Sequence, residues 1–253
     1  MRSDIGVTVH GLLLYAHLLL FVFWLGADLG VFLCSRAVVQ PGLTVDQRLR
    51  TAQLMGAIDL GPRIAASLML TVGGILTEYV GISHPWWQMA GIVLLGPVWL
   101  TLVVIGYCRD GTALGDTVAK LDAAFRAALA ILVPISVAYS WFTGALEPAP
   151  YVASKLLIFA AIMFLGLLLR RGLSPMTEGL RSLVAHGSSA AVEEAMAASH
   201  ARTRPLVIAI WIGLALAALM GISKPGMPPE TGLAPAVSAV SLATGLARGP
   251  PLP

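Results

Sequence analysis

Long apolar stretches alternate with short polar segments along this chain. Six of the apolar stretches are long enough to cross a bilayer, since a transmembrane helix needs about 20 consecutive apolar residues. They lie at approximately 7–34, 59–82, 86–107, 121–142, 151–169 and 204–222. The pattern therefore predicts an all-α integral membrane protein, a polytopic bundle of about six transmembrane helices.

Two further segments are more polar or richer in proline than the apolar stretches. Residues 172–203 predict a helix on either side of a Gly-Ser-Ser sequence, with Ser189 as the N-cap of the second helix. From Pro225 onward the chain is rich in proline, glycine, alanine and serine, and we expect 225–253 to lack fixed structure. The predicted organisation is one transmembrane domain over 1–224, which includes 172–203 as a cytoplasmic helical segment.

Composition supports the membrane prediction. Of the 253 residues, 57% are hydrophobic and only 11% are charged, whereas soluble domains carry roughly 25% charged residues. The formal net charge is +3, but the basic residues are concentrated in a few loops, as membrane topology requires. We therefore infer no nucleic-acid binding, and no motif of a soluble enzyme is visible in the sequence.

The distribution of lysine and arginine predicts the orientation of the bundle. All the lysine and arginine residues in the connections between spans lie in the loops after the first, third and fifth spans, while the connections after the second and fourth spans carry none. By the positive-inside rule the basic loops are cytoplasmic. We expect a multi-pass protein of the bacterial inner membrane with both termini on the periplasmic side.

The first span contains polar and aromatic residues on a single helical stripe. At about 100° per residue, four side chains fall within roughly 40° of one another. They are His10, His17, Trp24 and Asp28. Polar groups inside a membrane face protein or a cofactor, not lipid. Nearby, Gly26 and Gly30 form a small-xxx-small pair that predicts close approach of another helix.

Three residues of this protein carry the most informative chemistry. His17 lies near the middle of the bilayer, where its imidazole can hydrogen-bond a neighbouring helix, relay a proton, or bind a metal or haem iron. His10 is either a second ligand or an interfacial histidine. Lys155, near the start of the fifth span, either extends to the interface or faces the bundle and pairs with Glu78 or a haem propionate.

Charged residues also occur at similar depths on three spans. They are Asp28, Asp59, Arg63, Asp122 and Arg126. Two or three ion pairs among them are expected to hold the first, second and fourth spans together. As an alternative, Arg63 or Arg126 binds an anionic substrate or a quinone.

Several of these residues form a pattern similar to that of a known group of membrane proteins. The first span combines His17, Trp24, the two glycines and Arg36. Downstream, Pro62 and Arg63 precede an apolar helix with a Gly-Gly pair, and the sequence YVASKLL places Lys155 in a late helix. These features resemble the proteins related to HemJ-type protoporphyrinogen IX oxidase and to the CopD copper-resistance protein. Those oxidases are smaller, with four or five helices.

The resemblance implies a function. In the HemJ-type family the histidine and the lysine are regarded as essential, and b-type haem is thought to be bound. Carried over to this chain, His17 is an axial ligand or redox-site residue and Lys155 is a second catalytic group. His10, Trp24, Arg63 and Arg126 are the further expected cofactor contacts. The leading hypothesis is a haem b oxidoreductase or electron carrier, acting on protoporphyrinogen IX or another substrate and passing electrons to a quinone or a redox partner protein.

Two other hypotheses stay open. The first is CopD-like copper transport, which would use His10 and His84 with Met89, because imidazole and thioether ligands both suit copper. Across the two metal-binding hypotheses, His17, as the haem ligand, and His10 are the leading candidate metal ligands. The second is a non-catalytic membrane subunit of a larger complex. The lipid bilayer is the expected surrounding, and self-association into a homo-oligomer is left open.

Overall fold

The computed structural model describes residues 8–227, which form six long α-helices. They are α1 (Val9–Val38), α2 (Val45–Thr77), α3 (Trp86–Cys108), α4 (Ala113–Phe142), α5 (Tyr151–His186) and α6 (Ala190–Ser223). A short 3₁₀ turn, Glu78–Val80, follows α2. Each of the six contains an apolar window long enough to cross a membrane. The prediction of an all-α, multi-pass membrane bundle is thus confirmed, and the segment 228–253 of the expected tail lies outside the described residues.

Side-chain caps explain where four of the helices begin. A threonine or serine hydroxyl accepts a hydrogen bond from a backbone N–H of the first turn, which would otherwise lack a partner. The capping residues are Thr8, Thr44, Thr112 and Ser189. The predicted cap at Ser189 is therefore confirmed. The helices α3 and α5 instead begin directly after a proline, Pro85 or Pro150.

Several helices are longer than the apolar stretches that predicted them. The helix α5 continues past Arg170 to His186, and α6 begins at Ala190 rather than near residue 204. With 36 residues, α5 is about 54 Å long, whereas the hydrocarbon core is about 30 Å thick. Apolar runs mark only the part of a helix that lipid can surround. The polar segment 172–203 thus consists mainly of the ends of two antiparallel helices.

The helices form a closed ring in chain order. Each helix contacts the next, α1 contacts α6, and α2 contacts α5 across the middle. We call the end with the α1–α2, α3–α4 and α5–α6 loops the Arg48 end, and the opposite end the His10 end. The placement of the Arg48 end in the cytoplasm stays a prediction from the charge distribution.

The apolar core lies between these two ends. Its most deeply buried members come from α2, α3 and α5: Ala65, Ala66, Trp99 and Met163. A second buried cluster joins α1, α5 and α6 at the Arg48 end, through Val38, Met176, Leu183 and Met196. This second cluster explains why the polar segment is helical, because it gives the extended helices an apolar face to bury.

The predicted glycine contact of the first span is only half right. A Cβ placed on Gly30 would meet the Ile58 side chain at 3.4 Å, so Gly30 does face α2. A Cβ on Gly26 would meet no atom within 4 Å. The second close contact is made by Ala27 against Gly61 instead. Sequence spacing predicted a shared face correctly, but it did not predict how α1 is rotated against its neighbour.

Candidate functional site

His17 is directed from α1 against the backbone of α2. A Cβ placed on Gly73 would lie 3.1 Å from the His17 Cε1 atom, so glycine at this position gives the imidazole its room. The His17 Nδ1 atom is buried and has no hydrogen-bond partner within residues 8–227. A buried polar atom left in this way costs about 1–3 kcal/mol. Hydrogen bonding of Nδ1 within the bundle therefore does not explain why a histidine occupies position 17.

Lys155 lies near the start of α5, and its ammonium group contacts the last turn of α6. It is half-buried on α5, and it is close enough for its charge to act on the His17 imidazole. Its Nζ atom would lie 3.0 Å from a Cβ placed on Gly221 of α6. Gly221 is in the last turn of α6, at the His10 end, so both alternatives for Lys155 stay open. The proposed partner Glu78 is otherwise engaged, because it accepts a hydrogen bond from the His84 backbone N–H at 2.9 Å.

The histidines nearest the His10 end have neighbours of their own. The His10 ring stacks on Tyr79, with 4.6 Å between the ring centroids. His84 Nε2 lies 2.8 Å from the Thr77 hydroxyl, in hydrogen-bond contact. Within the part of the chain that the structure describes, no three His, Cys, Asp or Glu side chains come together as a metal site. The structure thus does not assemble a metal site of three such ligands from His10, His84 or His17.

Trp24, the third member of the stripe, is a core residue. It is buried and makes an edge-to-face contact with Phe159 of α5, at 6.2 Å between centroids. Asp28, one turn further along α1, accepts a hydrogen bond from Trp211 Nε1 of α6 at 2.7 Å. His17, Trp24 and Asp28 therefore all face other helices of the bundle, as predicted.

The expected ion pairs between the first, second and fourth spans do not form, and this prediction was wrong. Asp59 pairs with Arg63 within α2, and Asp122 pairs with Arg126 within α4. In both pairs the residues are four apart, a spacing that places them on adjacent turns of one helix face. Each of these two pairs lies within one helix, so neither pair by itself connects two helices.

Asp122 connects three helices at this level. Its carboxylate, 5% exposed, accepts hydrogen bonds from Trp99 of α3 at 2.8 Å and from Arg170 of α5 at 2.9 Å. It also accepts from Arg126 Nε at 3.1 and 3.2 Å. The Arg126 guanidinium lies 5.3 Å from the centroid of the Trp99 ring, a cation–π distance. Asp122 thus joins α3, α4 and α5.

Sequence reasoning missed the most buried charge of the described residues. Arg48 is 1% exposed; its Nε donates to the Val38 carbonyl at 2.6 Å, and its two Nη atoms donate to Glu193 at 2.8 and 3.1 Å. These bonds join the end of α1 and the start of α2 to the start of α6. In the sequence Arg48 is one basic loop residue among several, and its partner lies 145 residues away. No local pattern indicates this pair.

Comparison with models of protein families, with curated proteins and with solved structures gave no match. The functional interpretation therefore depends on the residues and geometry of this chain.

Proposed function

We propose that this chain is a b-type haem protein embedded in the membrane, an oxidoreductase or electron carrier in which His17 binds the haem iron. The observation that carries the proposal is the buried His17 Nδ1 atom, which has no hydrogen-bond partner within the described residues. A porphyrin supplies four nitrogen ligands, so haem iron needs only one or two ligands from protein. A single imidazole therefore fits haem, while a metal ion bound by protein alone needs a larger set of ligands.

The residues around His17 have definable roles in this function. Gly73 leaves room for the imidazole, whose Nδ1 atom is buried. The Lys155 ammonium is placed to pair with a carboxylate, such as a propionate of haem or of a porphyrinogen substrate. When bound, haem would supply one-electron chemistry, whose potential depends on ligation and burial. Protoporphyrinogen IX is the substrate that the HemJ-type resemblance implies, with a quinone or a redox protein as electron acceptor.

A reduced-minus-oxidised absorption spectrum tests the haem proposal. The full chain is purified in detergent from haem-replete cells, beside the variants His17→Ala and His186→Ala. His186 ends α5 and is exposed, so its substitution is a matched control. We expect a b-type signal in the wild type and in His186→Ala, and its loss in His17→Ala. A wild-type spectrum without haem bands would contradict the proposal.

A second measurement separates substrate oxidation from haem binding. Formation of fluorescent protoporphyrin IX from protoporphyrinogen IX is followed with the haem-loaded protein and with Lys155→Met. We expect the lysine variant to slow this oxidation. Equal rates for the two proteins would remove Lys155 from the catalytic assignment, while haem bands without any oxidation would favour an electron carrier.

A further inference from the structure

The polar cluster around Asp122, on the Arg48 side of the bundle, contains a guanidinium group whose hydrogen-bond donors are not all paired. Arg126 donates through Nε to Asp122, while its Nη2 atom is buried without a hydrogen-bond partner in the part of the chain that the structure describes. The Arg126 side chain is only 13% exposed. A buried charged donor of this kind is costly unless something accepts its hydrogen bond.

Positive charge is in excess around this atom. Arg126 and Arg170 both pair with the one carboxylate of Asp122. Arg63, the third guanidinium, is near enough for its charge to act on Arg126, and it has its own partner in Asp59. Asp28 forms no salt bridge with these arginines within the described residues, and it accepts a hydrogen bond from Trp211 on α6. Two guanidinium groups therefore share one negative charge.

The three arginines converge towards the same end of the bundle. Arg63 and Arg126 each bond to a carboxylate one turn nearer the N-terminus of their own helix, and both of those N-termini lie at the Arg48 end. Arg170 approaches from α5 and bonds to the Ala119 carbonyl and to Asp122. The Arg63 and Arg170 side chains are 43% and 38% exposed, so the cluster opens to its surroundings.

We propose that Arg126, with Arg63 and Arg170, binds a phosphate group, and that this group belongs to the headgroup of an anionic phospholipid. The Nη edge of a guanidinium offers two parallel N–H groups that match the oxygens of a phosphate. The Arg126 guanidinium extends back to Asp122, which lies one residue after the start of the fourth apolar stretch at residue 121, about 1.5 Å along the helix. This depth is close to the boundary between headgroups and hydrocarbon, where basic clusters between transmembrane helices bind lipid headgroups.

This site is separate from the haem proposal, because Arg126 belongs to the Asp122 cluster and His17 contacts α2 at Gly73. Its test is lipid binding to the detergent-purified, delipidated full chain, measured by native mass spectrometry. The probes are dioleoyl phosphatidylglycerol and, for comparison, dioleoyl phosphatidylcholine. We expect phosphatidylglycerol to bind the wild type more tightly than phosphatidylcholine, and Arg126→Gln to weaken this binding about tenfold.

Arg50→Gln is the matched control, because it removes the same charge at the same end. Arg50 is 77% exposed and pairs with Asp46, so we expect its substitution to leave lipid binding unchanged. Equal loss in both variants, or equal binding of the two lipids, would overturn the proposal. If Arg126→Gln does not fold, Arg63→Gln replaces it, with an expected loss of several-fold, and wild-type affinity in that variant would also overturn the proposal.

A further arm separates lipid from soluble phosphate. Inorganic phosphate is added to the delipidated protein and compared with chloride at equal ionic strength, because salt alone screens exposed charges. We expect phosphate alone to leave the thermal unfolding temperature unchanged and phosphatidylglycerol to raise it. A rise with phosphate that Arg126→Gln abolishes would identify a soluble anion as the ligand and overturn the lipid assignment.

Discussion

Two polar groups inside the bundle, the Asp122 carboxylate and the His17 imidazole, differ in how completely their hydrogen bonds are satisfied. The Asp122 carboxylate accepts hydrogen bonds from Trp99, Arg126 and Arg170. His17, on the other side of the apolar core, has a buried nitrogen with no partner among residues 8–227. A satisfied buried carboxylate connects helices, whereas an unsatisfied imidazole is available to a ligand. We therefore expect removal of the Asp122 carboxylate to change stability and substitution of His17 to change function.

Removal of the Asp122 carboxylate has the largest expected effect. Asp122→Ala leaves Arg126 without its acceptor in a buried position and removes the contacts to α3 and α5. Loss of one partner of a buried ion pair costs about 3–5 kcal/mol. Thermal unfolding of the detergent-purified protein, followed by tryptophan fluorescence, measures this loss.

The control for Asp122→Ala is Asp46→Ala, which removes a carboxylate that is 69% exposed. Exposed pairs contribute about 0–1 kcal/mol, so the unfolding temperature should change little. Similar changes in the two variants would show that the Asp122 cluster does not stabilise the bundle.

Loss of the ion pair between Arg48 and Glu193 is expected to have the second-largest effect on stability. Arg48→Ala removes the hydrogen bonds to Val38 and Glu193, but Glu193 is partly exposed and regains water. We expect a loss of about 1–3 kcal/mol, and a double variant with Glu193→Ala that loses less than the sum of the single losses. Arg50→Ala is the exposed control. Strict additivity in the double variant would contradict a direct interaction.

The sequence was sufficient to predict the fold. At the candidate site it identified the polar residues but not their partners. Apolar runs identify helices because every backbone polar group in lipid must be satisfied within its own helix. The runs could not show that α5 and α6 continue beyond the membrane, because there the helices are stabilised by packing around Met196 and Leu183. The spacing of four residues in Asp59–Arg63 and Asp122–Arg126 is also visible in the sequence. It indicates pairs within one helix rather than pairs between helices.

The partners of the buried polar groups could not be predicted in the same way. Trp211 donates to Asp28 across 183 residues of sequence, and Arg170 donates to Asp122 across 48. Such contacts depend on how each helix is rotated about its axis and on which helices are neighbours. The lack of a partner at His17 depends on the same information. Sequence identified which residues are costly in a membrane, and only the packed bundle distinguishes the satisfied from the unsatisfied ones.

Replacement of His17 by an apolar residue tests whether this histidine serves function rather than stability. His17→Leu removes the buried nitrogen that has no partner, so haem-free protein should keep its stability or gain up to about 1 kcal/mol. The b-type haem signal should be lost at the same time. The measurement combines thermal unfolding of the haem-free protein with the reduced-minus-oxidised spectrum. Destabilisation as large as that of Asp122→Ala would make His17 a structural residue.

Substitution of Gly73, the glycine that His17 contacts, has the smallest expected effect on stability. It tests whether the position of the His17 ring affects haem binding. Gly73→Ala places a methyl group 3.1 Å from His17 Cε1, so the imidazole has to shift by a few tenths of an ångström. Alanine also favours the helix by up to about 1 kcal/mol over glycine, so the net change in stability should be small. A shift of a haem ligand should instead appear as weaker haem retention or altered haem bands. Gly26→Ala is the matched control, since its methyl group meets no atom within 4 Å; if both variants left the spectrum unchanged, the position of the His17 ring would not matter for haem.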